Sequence, residues 1–536
     1  MKLLPSRRRG RRIIAVAAVV VSLMSAAACG GSSGAAAPSS QPGVLTVAMT
    51  AADVPNLDTL LTGGQGYEGN RFAGNTLYDS LTKYDLKQAG KIPGIVPGLA
   101  ESWEVSDDKL TWTFHLRKGV TFHDGTPFNA DAVVYNYDRY LKPKAPQFDQ
   151  TVASRAGLGG AAIASYKKID DMTVSITSKG PDAHLDSDIV FLYIASPTAL
   201  QKYGKDFAEH PVGTGPFVFQ SLTRGQQATF TANKDYWGGA PKINKLVLKP
   251  MPDVSARLAA LRSGEVNWAE APNPDDIASL KSDGFQVFTN SYDHVWPWIF
   301  DLSYKPLSDP KVRRALNLAI DRETMAKELL KDTADPAYQI PAVANQAYDK
   351  GNDVYSYKLG EAKRLLAEAG YADGFTMSLS YPTSGSGNMQ PGPMNQLIQA
   401  DLAKIGVKVE LKPIEWAAML TSITTGKIPD QANAINISLT MLQESSWSMY
   451  FATNGYINVG HYSNPKVDKL LAQAQAEFHT TKRFQLYSQA SKLIGADAPW
   501  LVVVNDRNPR VLGPDVHGFV QPKSWFVDLT TVSVGS

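Results

Sequence analysis

Ala362-Lys-Arg-Leu-Leu-Ala-Glu-Ala-Gly370, followed shortly by Phe375-Thr-Met-Ser-Leu379, decides the fold class of this chain. Ala362, Leu365, Leu366 and Ala369 fall on one side of a helix, and Gly370 suits its left-handed cap. Phe375, Met377 and Leu379 then alternate with polar residues, as a strand does. A helix through Leu397 and Leu402 that stops near Gly406 comes next, and Val407, Val409 and Leu411 form another strand. Strand, helix, strand in succession predicts an α/β layer.

The pattern continues on either side. Asp309 and Pro310 can cap and open a helix whose inward stripe is Val312, Ala315, Leu316, Ala319 and Ile320. Long amphipathic helices across 467–494 precede Leu501 to Val504, an apolar run suited to the interior of a sheet. The first half is more strand-rich. Leu110, Trp112, Phe114 and Leu116 alternate with Thr111, Thr113, His115 and Arg117, which predicts a strand with one buried face. Further short strands are expected at 44–49, 172–177 and 245–249. No internal repeat and no second long apolar span is present.

The N-terminus reads as a targeting segment. Lys2 with Arg7, Arg8, Arg9, Arg11 and Arg12 forms a basic head before an uncharged apolar stretch from Ile13 to Ala28. That stretch is short for a membrane span, which needs roughly 20 apolar residues, and fits a signal-peptide core. Cys29 is the only cysteine, so no intramolecular disulfide can form. Leu23 to Cys29 resembles a bacterial lipoprotein processing site, which implies a diacylglyceryl group on Cys29 and attachment to a membrane by that anchor alone. The twin arginines leave the export route open. Residues 29–43, rich in Gly, Ser, Ala and Pro, form a flexible tether. Gly30, Ser32 and Gly34 match the G-x-S-x-G pattern of serine hydrolases by chance, because no strand precedes them and no helix follows.

Charge and size exclude more. The whole chain carries +2, but the six cations of residues 1–28 are accompanied by no acid, which leaves −4 for the rest. A mildly acidic chain without basic runs is a poor nucleic-acid binder. About 500 remaining residues exceed what one core usually serves, so at least two lobes are expected.

Several ordered motifs carry a family resemblance. They are Asn75-Thr-Leu-Tyr-Asp79, Pro97-Gly-Leu-Ala-Glu-Ser-Trp103, Trp112-Thr-Phe-His-Leu-Arg-Lys-Gly-Val120, Phe122-His-Asp-Gly-Thr-Pro127, Pro211-Val-Gly-Thr-Gly-Pro-Phe217 and Asp235-Tyr-Trp-Gly238. Leu261-Arg-Ser-Gly-Glu265, Asp309-Pro-Lys-Val-Arg-Arg-Ala-Leu316, Ala319-Ile-Asp-Arg322 and Leu365-Leu-Ala-Glu-Ala-Gly-Tyr371 complete the set. The chain resembles the family 5 extracellular solute-binding proteins, which serve ABC importers and include dipeptide- and oligopeptide-binding proteins. The resemblance implies a two-lobed, periplasmic-binding-protein-like (type II) α/β clamp with an extra subdomain inserted in the first lobe. Residues 44–75, 200–293 and 500–536 would make lobe 1, residues 76–199 the inserted subdomain, and residues 294–499 lobe 2. The chain would cross between lobes near Tyr292 to Leu302 and return near Pro499. It also implies a monomer without a cofactor at the extracytoplasmic face of a membrane, closing over a peptide and docking on permease subunits that supply the ATPase elsewhere.

The resemblance supplies candidate ligand-binding residues. Gly66, Tyr67 and Glu68 fall where relatives present a ligand-contacting loop, although an exposed glycine-rich loop reads the same way. Trp416, after Glu415, matches a pocket tryptophan and equally fits a core aromatic. Leu439-Thr-Met-Leu-Gln-Glu-Ser-Ser-Trp447 stands where peptide-binding relatives carry a Gly-Trp-x-x-Asp-like run whose acid pairs with the ligand amine. Leu439 and Thr440 open that run. Gln443 takes the place of the acid, so the ion pair is lost unless Glu444 replaces it. Trp447, Trp296 and Trp298 can stack a ligand ring or fill the core.

Other functions fit less well. Val212-Gly-Thr-Gly215 lacks the Lys-Ser or Lys-Thr of a phosphate loop, and His123-Asp124 has no nucleophile placed with it. No H-E-x-x-H spacing occurs, and the eight histidines are not closely paired, so neither a hydrolase nor a bare metal site is expected. A non-peptide solute such as an oligosaccharide or metal chelate, and a surface sensor built on the same clamp, stay open.

Overall fold

The structure is a computed structural model that describes residues 41–535. The basic segment, Cys29, and the tether through Ser40 lie outside the described residues. Among the described residues no helix is long and apolar enough to cross a membrane.

Two seven-stranded sheets organise the chain. The first runs in the order Gln286–Phe288, Arg510–Leu512, Trp268–Glu270, Val44–Met49, Lys245–Pro250, Gln227–Ala232, Phe217–Thr223. Its centre is the parallel pair Val44↔Lys245 through Met49↔Pro250. Leu45, Val47 and Met49 pack on one side with Phe72, Phe230 and Trp268, while Ala48 packs on the other with Leu258, Leu261 and Val511. Both faces are therefore covered, as parallel strands require.

The second sheet contains Ala334–Pro336, Trp500–Asp506, His294–Phe300, Ala434–Asn436, Phe375–Pro382 and Val407–Ile414, with Leu439–Thr440 paired to His294–Phe300. The expected strand, helix, strand unit is present: Phe375 pairs in parallel with Val407, and the helix Pro391–Ala403 joins the two strands. Along the crossing strand, Trp296, Trp298 and Phe300 face the helices Pro310–Leu318, Leu359–Glu368 and Pro391–Ala403. Val295 and Ile299 face the helices Trp416–Thr424, Ser446–Phe451, Pro465–Gln475 and Thr480–Asp497. Asp309 caps its helix by accepting from the Lys311 N–H, with Pro310 in the first turn.

A third, antiparallel sheet has four strands in the order Ala100–Val105, Thr111–Leu116, Thr173–Ser178, Ile163–Asp170. Trp112, Phe114 and Leu116 bury their side against Val133, Tyr137 and Tyr140 of the helix Ala130–Leu141, while His115 is exposed. The alternation read from the sequence is the alternation of burial.

The chain passes from the first sheet to the second between Phe288 and His294, and back between Asp506 and Arg510. The second passage differs from the expectation of a return near Pro499 with 500–536 in the first lobe. Trp500–Asp506 pairs with His294–Phe300, Ile299 opposite Trp500, and every one of its residues is buried. A run this apolar is stable only where both faces are covered, and helices of the second lobe cover them. The two sheets with their helices form the two-lobed α/β clamp.

Three of the ordered motifs meet at one side chain. Asp79 Oδ2 accepts from Thr214 Oγ1 and from Trp237 Nε1, each at 2.9 Å, and Oδ1 accepts from Tyr236 OH at 2.9 Å. The loop 211–217 thus seats on the start of the inserted segment. His123 serves the same seat, with Gly213 N–H donating to Nδ1 at 3.4 Å and Nε2 reaching Gly215 O at 2.9 Å. Its partners are structural. A Cβ at Gly213 would stand 2.0 Å from Leu77 O, so only glycine permits this approach. Gly213→Ala is expected to lower stability by about 3 kcal/mol in urea denaturation, since backbone must shift to accept it; an unchanged midpoint would refute the close seat.

Candidate ligand-binding site

A cavity of about 100 Å³ lies between the sheets, walled by the inserted segment and by both lobes. Its walls come largely from turns and helix starts that follow the C-terminal ends of parallel strands. Gly66, Tyr67 and Asn70 follow Val44–Met49, Ser386 follows Phe375–Pro382, Trp416 follows Val407–Ile414, and Ile437 and Ser438 follow Ala434–Asn436. This is where open α/β sheets place ligands, because strand ends splay there and leave a crevice. Arg155, Gly159, Phe191 and Leu192 of the inserted segment complete the enclosure.

Five of the expected residues come together here: Gly66, Tyr67, Trp416, Leu439 and Gln443. Gly66, at φ +86°, would bring a Cβ within 3.1 Å of the Trp416 indole, so the first lobe lies directly on this ring of the second. Trp416 is 5% exposed and caps the apolar wall made by Leu420 and Ile423. Tyr67 packs edge-on against Phe526 at 5.5 Å, and its hydroxyl meets that of Tyr450. Burial pushes the Tyr67 phenol up to about 12, so it stays protonated. Gln443 is 3% exposed and its Nε2 donates to Ser187 O at 3.5 Å.

The other five stand behind the wall. Glu68 is buried and turned away, accepting from Thr50 N–H and Thr50 Oγ1 at 2.7 Å each. Its backbone N–H donates to Ser386 Oγ at 3.2 Å and so ties the two lobes at the cavity edge. Thr440 donates from Oγ1 to Asp293 O at 2.9 Å inside the second sheet. Trp296 is fully buried among the helices of that sheet. Trp447 is fully buried and stacks on Tyr487 at 5.4 Å. Glu444, the candidate substitute for the missing acid, instead accepts from Arg483 Nε and Nη2 and lies 3.4 Å from His184 Nε2. Its carboxylate is occupied by protein partners and does not line the cavity.

Asn70, Arg155, Phe191, Ser386, Ser438 and Tyr450 line the cavity without having been expected. The run Ser384-Gly-Ser-Gly-Asn388 directly after a strand is the signal that could have found Ser386. Arg155, Phe191 and Tyr450 come from a turn and two helical segments whose approach depends on lobe closure.

A polar seam joins the inserted segment to the second lobe. Ala183 N–H donates to Gln475 O at 2.7 Å, Ser445 Oγ donates to Asp188 Oδ1 at 2.6 Å, and Tyr487 OH meets His184 Nε2 at 3.0 Å. Burial raises the Asp188 carboxyl to about 7, with Asp182 adding to the effect, and raises Asp186 to about 6. Burial alone would lower His184, but the hydrogen bond and charge of Glu444, with Asp188 and Asp182, hold it above its ordinary value. Arg483 offsets part of this negative charge through Glu444.

A family model described as bacterial extracellular solute-binding proteins, family 5 Middle, matches residues 94–457. The chain is 34% identical over 454 residues to heme-binding protein A of Haemophilus influenzae, covering 80% of this chain and 82% of that protein. It is 30% identical over 513 residues to the dipeptide-binding protein of Escherichia coli, covering 89% of this chain and 95% of that protein. Among solved structures, the periplasmic binding protein DppA from Helicobacter pylori in complex with peptide STSA superposes with a TM-score of 0.80 at 26% identity, covering 92% of this chain and 98% of that one.

The seam makes closure depend on pH. When the lobes part, His184, Asp186 and Asp188 regain water and return towards their ordinary values, so closing takes up protons. All three are raised in the closed form. Their contribution is therefore greatest in acid and is lost as pH rises, for Asp188 between its ordinary value near 4 and about 7, and for His184 above about 6.5. Small-angle scattering is expected to give a larger radius of gyration at pH 8.5 than at pH 5.5, with Asp188→Asn flattening the difference. A radius that is constant across this range in the unsubstituted protein would exclude the seam as a pH-dependent contact.

Proposed function

The chain belongs to the family 5 extracellular solute-binding proteins, and from that premise we propose that it is a monomeric lipoprotein, anchored through Cys29, that captures a peptide and presents the closed clamp to the permease of an ABC importer. At the coarser level it is an extracytoplasmic binding protein of importer type that takes a small molecule by lobe closure, not an enzyme. The observation that carries the proposal is the division of one cavity between two lobes. Tyr67 comes from the first, Trp416 and Ser386 from the second, so neither half encloses a ligand alone. A ligand then favours the closed form by its extra contacts there, and by no more than that difference.

Support for a peptide is of two kinds. One relative is named for dipeptides, and one similar solved structure holds a peptide. The cavity also pairs apolar and aromatic walls, which suit side chains, with the uncharged polar groups of Asn70, Ser386, Ser438 and Gln443, which suit backbone amides. A second reading, a metal-bearing solute, is favoured by the 34% likeness to heme-binding protein A. Among the described residues no group of three or more His, Cys, Asp or Glu could hold a bare metal ion, so such a solute would enter with its metal already ligated.

Two outcomes follow. A ligand at 100 times its dissociation constant should stabilise the protein by about 2.7 kcal/mol in thermal unfolding, and Trp416→Ala should remove most of that gain; equal stabilisation of the variant would move the binding site elsewhere. Cys29→Ser should shift the protein from the membrane pellet to the soluble fraction, and retention in the pellet would refute the lipid anchor.

A further inference from the structure

The charge of the cavity is one-sided. Among the described residues lining it, Arg155 is the single charged side chain and no carboxylate is present. The acids beside its lining residues in the chain are engaged with the protein. Glu68 accepts twice from Thr50, Glu444 accepts from Arg483, and Asp188 accepts from Ser445. A smaller adjoining cavity of about 30 Å³ shares Ser386 and does not supply the missing anion. Its Glu270 lies between Arg71 and Arg510 and also accepts from Trp268 Nε1. Its Asp506 accepts from Tyr292 OH, and burial raises that carboxyl to about 7.

An ammonium group enclosed here would lose its hydration without gaining a counter-ion, which is costly in a site that excludes water. A neutral amide carries no such penalty, because it needs only hydrogen-bond partners. Those are present. Ser386 Oγ accepts from Glu68 N–H and keeps its own proton to donate, and Gln443 offers an amide that both donates and accepts. The rest of the wall, including Phe191, Trp416 and Ile437, is apolar.

We propose that the cavity selects amine-free solutes, neutral or singly anionic with an apolar body, and that Gln443 sets this choice while Arg155 receives the anionic group. Within the peptide class the ligands are N-acylated or cyclic peptides. The inference rests on the cavity being the ligand site, and it names the chemistry that site accepts.

Isothermal titration of the purified mature protein with the matched pair Leu-Phe and N-acetyl-Leu-Phe tests it. The acetylated peptide is expected to bind at least about 100-fold more tightly than the free dipeptide. Gln443→Glu, which supplies a carboxylate without changing the size of the side chain, is expected to shrink or reverse that ratio. Should the variant fail to fold, the ratio in the unsubstituted protein decides alone. Equal or tighter binding of the free dipeptide to the unsubstituted protein would overturn the inference. If neither peptide binds, the peptide reading falls, and the solute released on unfolding the purified protein, identified by mass spectrometry, decides the charge rule. A released molecule with a basic amine would overturn the rule, and one without would support it.

Discussion

The clamp depends on two chain crossings being held side by side. Asn290 N–H donates to Arg507 O at 2.9 Å, so the passage out of the first sheet and the passage back into it are bonded to each other. Beside them His294 is fully buried, and burial drives its pKa down to about 3. A neutral imidazole is what the surroundings require. Nδ1 accepts from Asp506 N–H at 2.9 Å, and Nε2 reaches Ser438 Oγ at 2.7 Å. One ring therefore joins the return strand to a residue of the cavity wall. Two adjacent crossings permit rotation about a common axis and little else. Relative lobe position, and with it the existence of an enclosed site, follows from that pairing.

Much of this architecture was legible because local pattern and tertiary role agree. Phe375–Pro382 and Val407–Ile414 alternate or run apolar as buried parallel strands must, and they pair as the spacing predicts. The strand Trp500–Asp506 was legible as a strand but not as a member of the second lobe. An apolar run records that both faces are covered without recording which helices cover them. The motifs carried a different kind of information. Asn75 to Asp79, Pro211 to Phe217 and Asp235 to Gly238 are far apart in sequence, and their residue types make sense only around Asp79, where hydroxyl and indole donors converge on one buried carboxylate.

Half of the expected residues line the cavity, for a physical reason. Gly66 lies on a turn and Trp416 opens a helix, both after strand ends, where the fold itself directs residues into the crevice. Trp296 and Trp447 differ from Trp416 only in context. An aromatic in a strand buried on both faces, or on the inward side of a helix, serves the core, and composition does not separate the two cases. Glu444 was the least legible. Its role is set by Arg483, from a later helix of the same lobe, and by His184, which meets it only where the inserted segment reaches the second lobe.

These contacts bear on how strongly the clamp shuts by itself. The seam consists of hydrogen bonds and largely buried charge pairs, and the hydration lost on burial offsets most of what each bond to protein gains. Opening would return those groups to water at little cost. The cavity is different in kind, because its walls are mostly apolar, and covering apolar surface contributes roughly 25 cal/mol per Å². A bound solute that covers those walls adds a term the empty seam does not have. The polar seam makes the closed geometry specific, while the apolar cavity lets the solute decide whether that geometry is occupied.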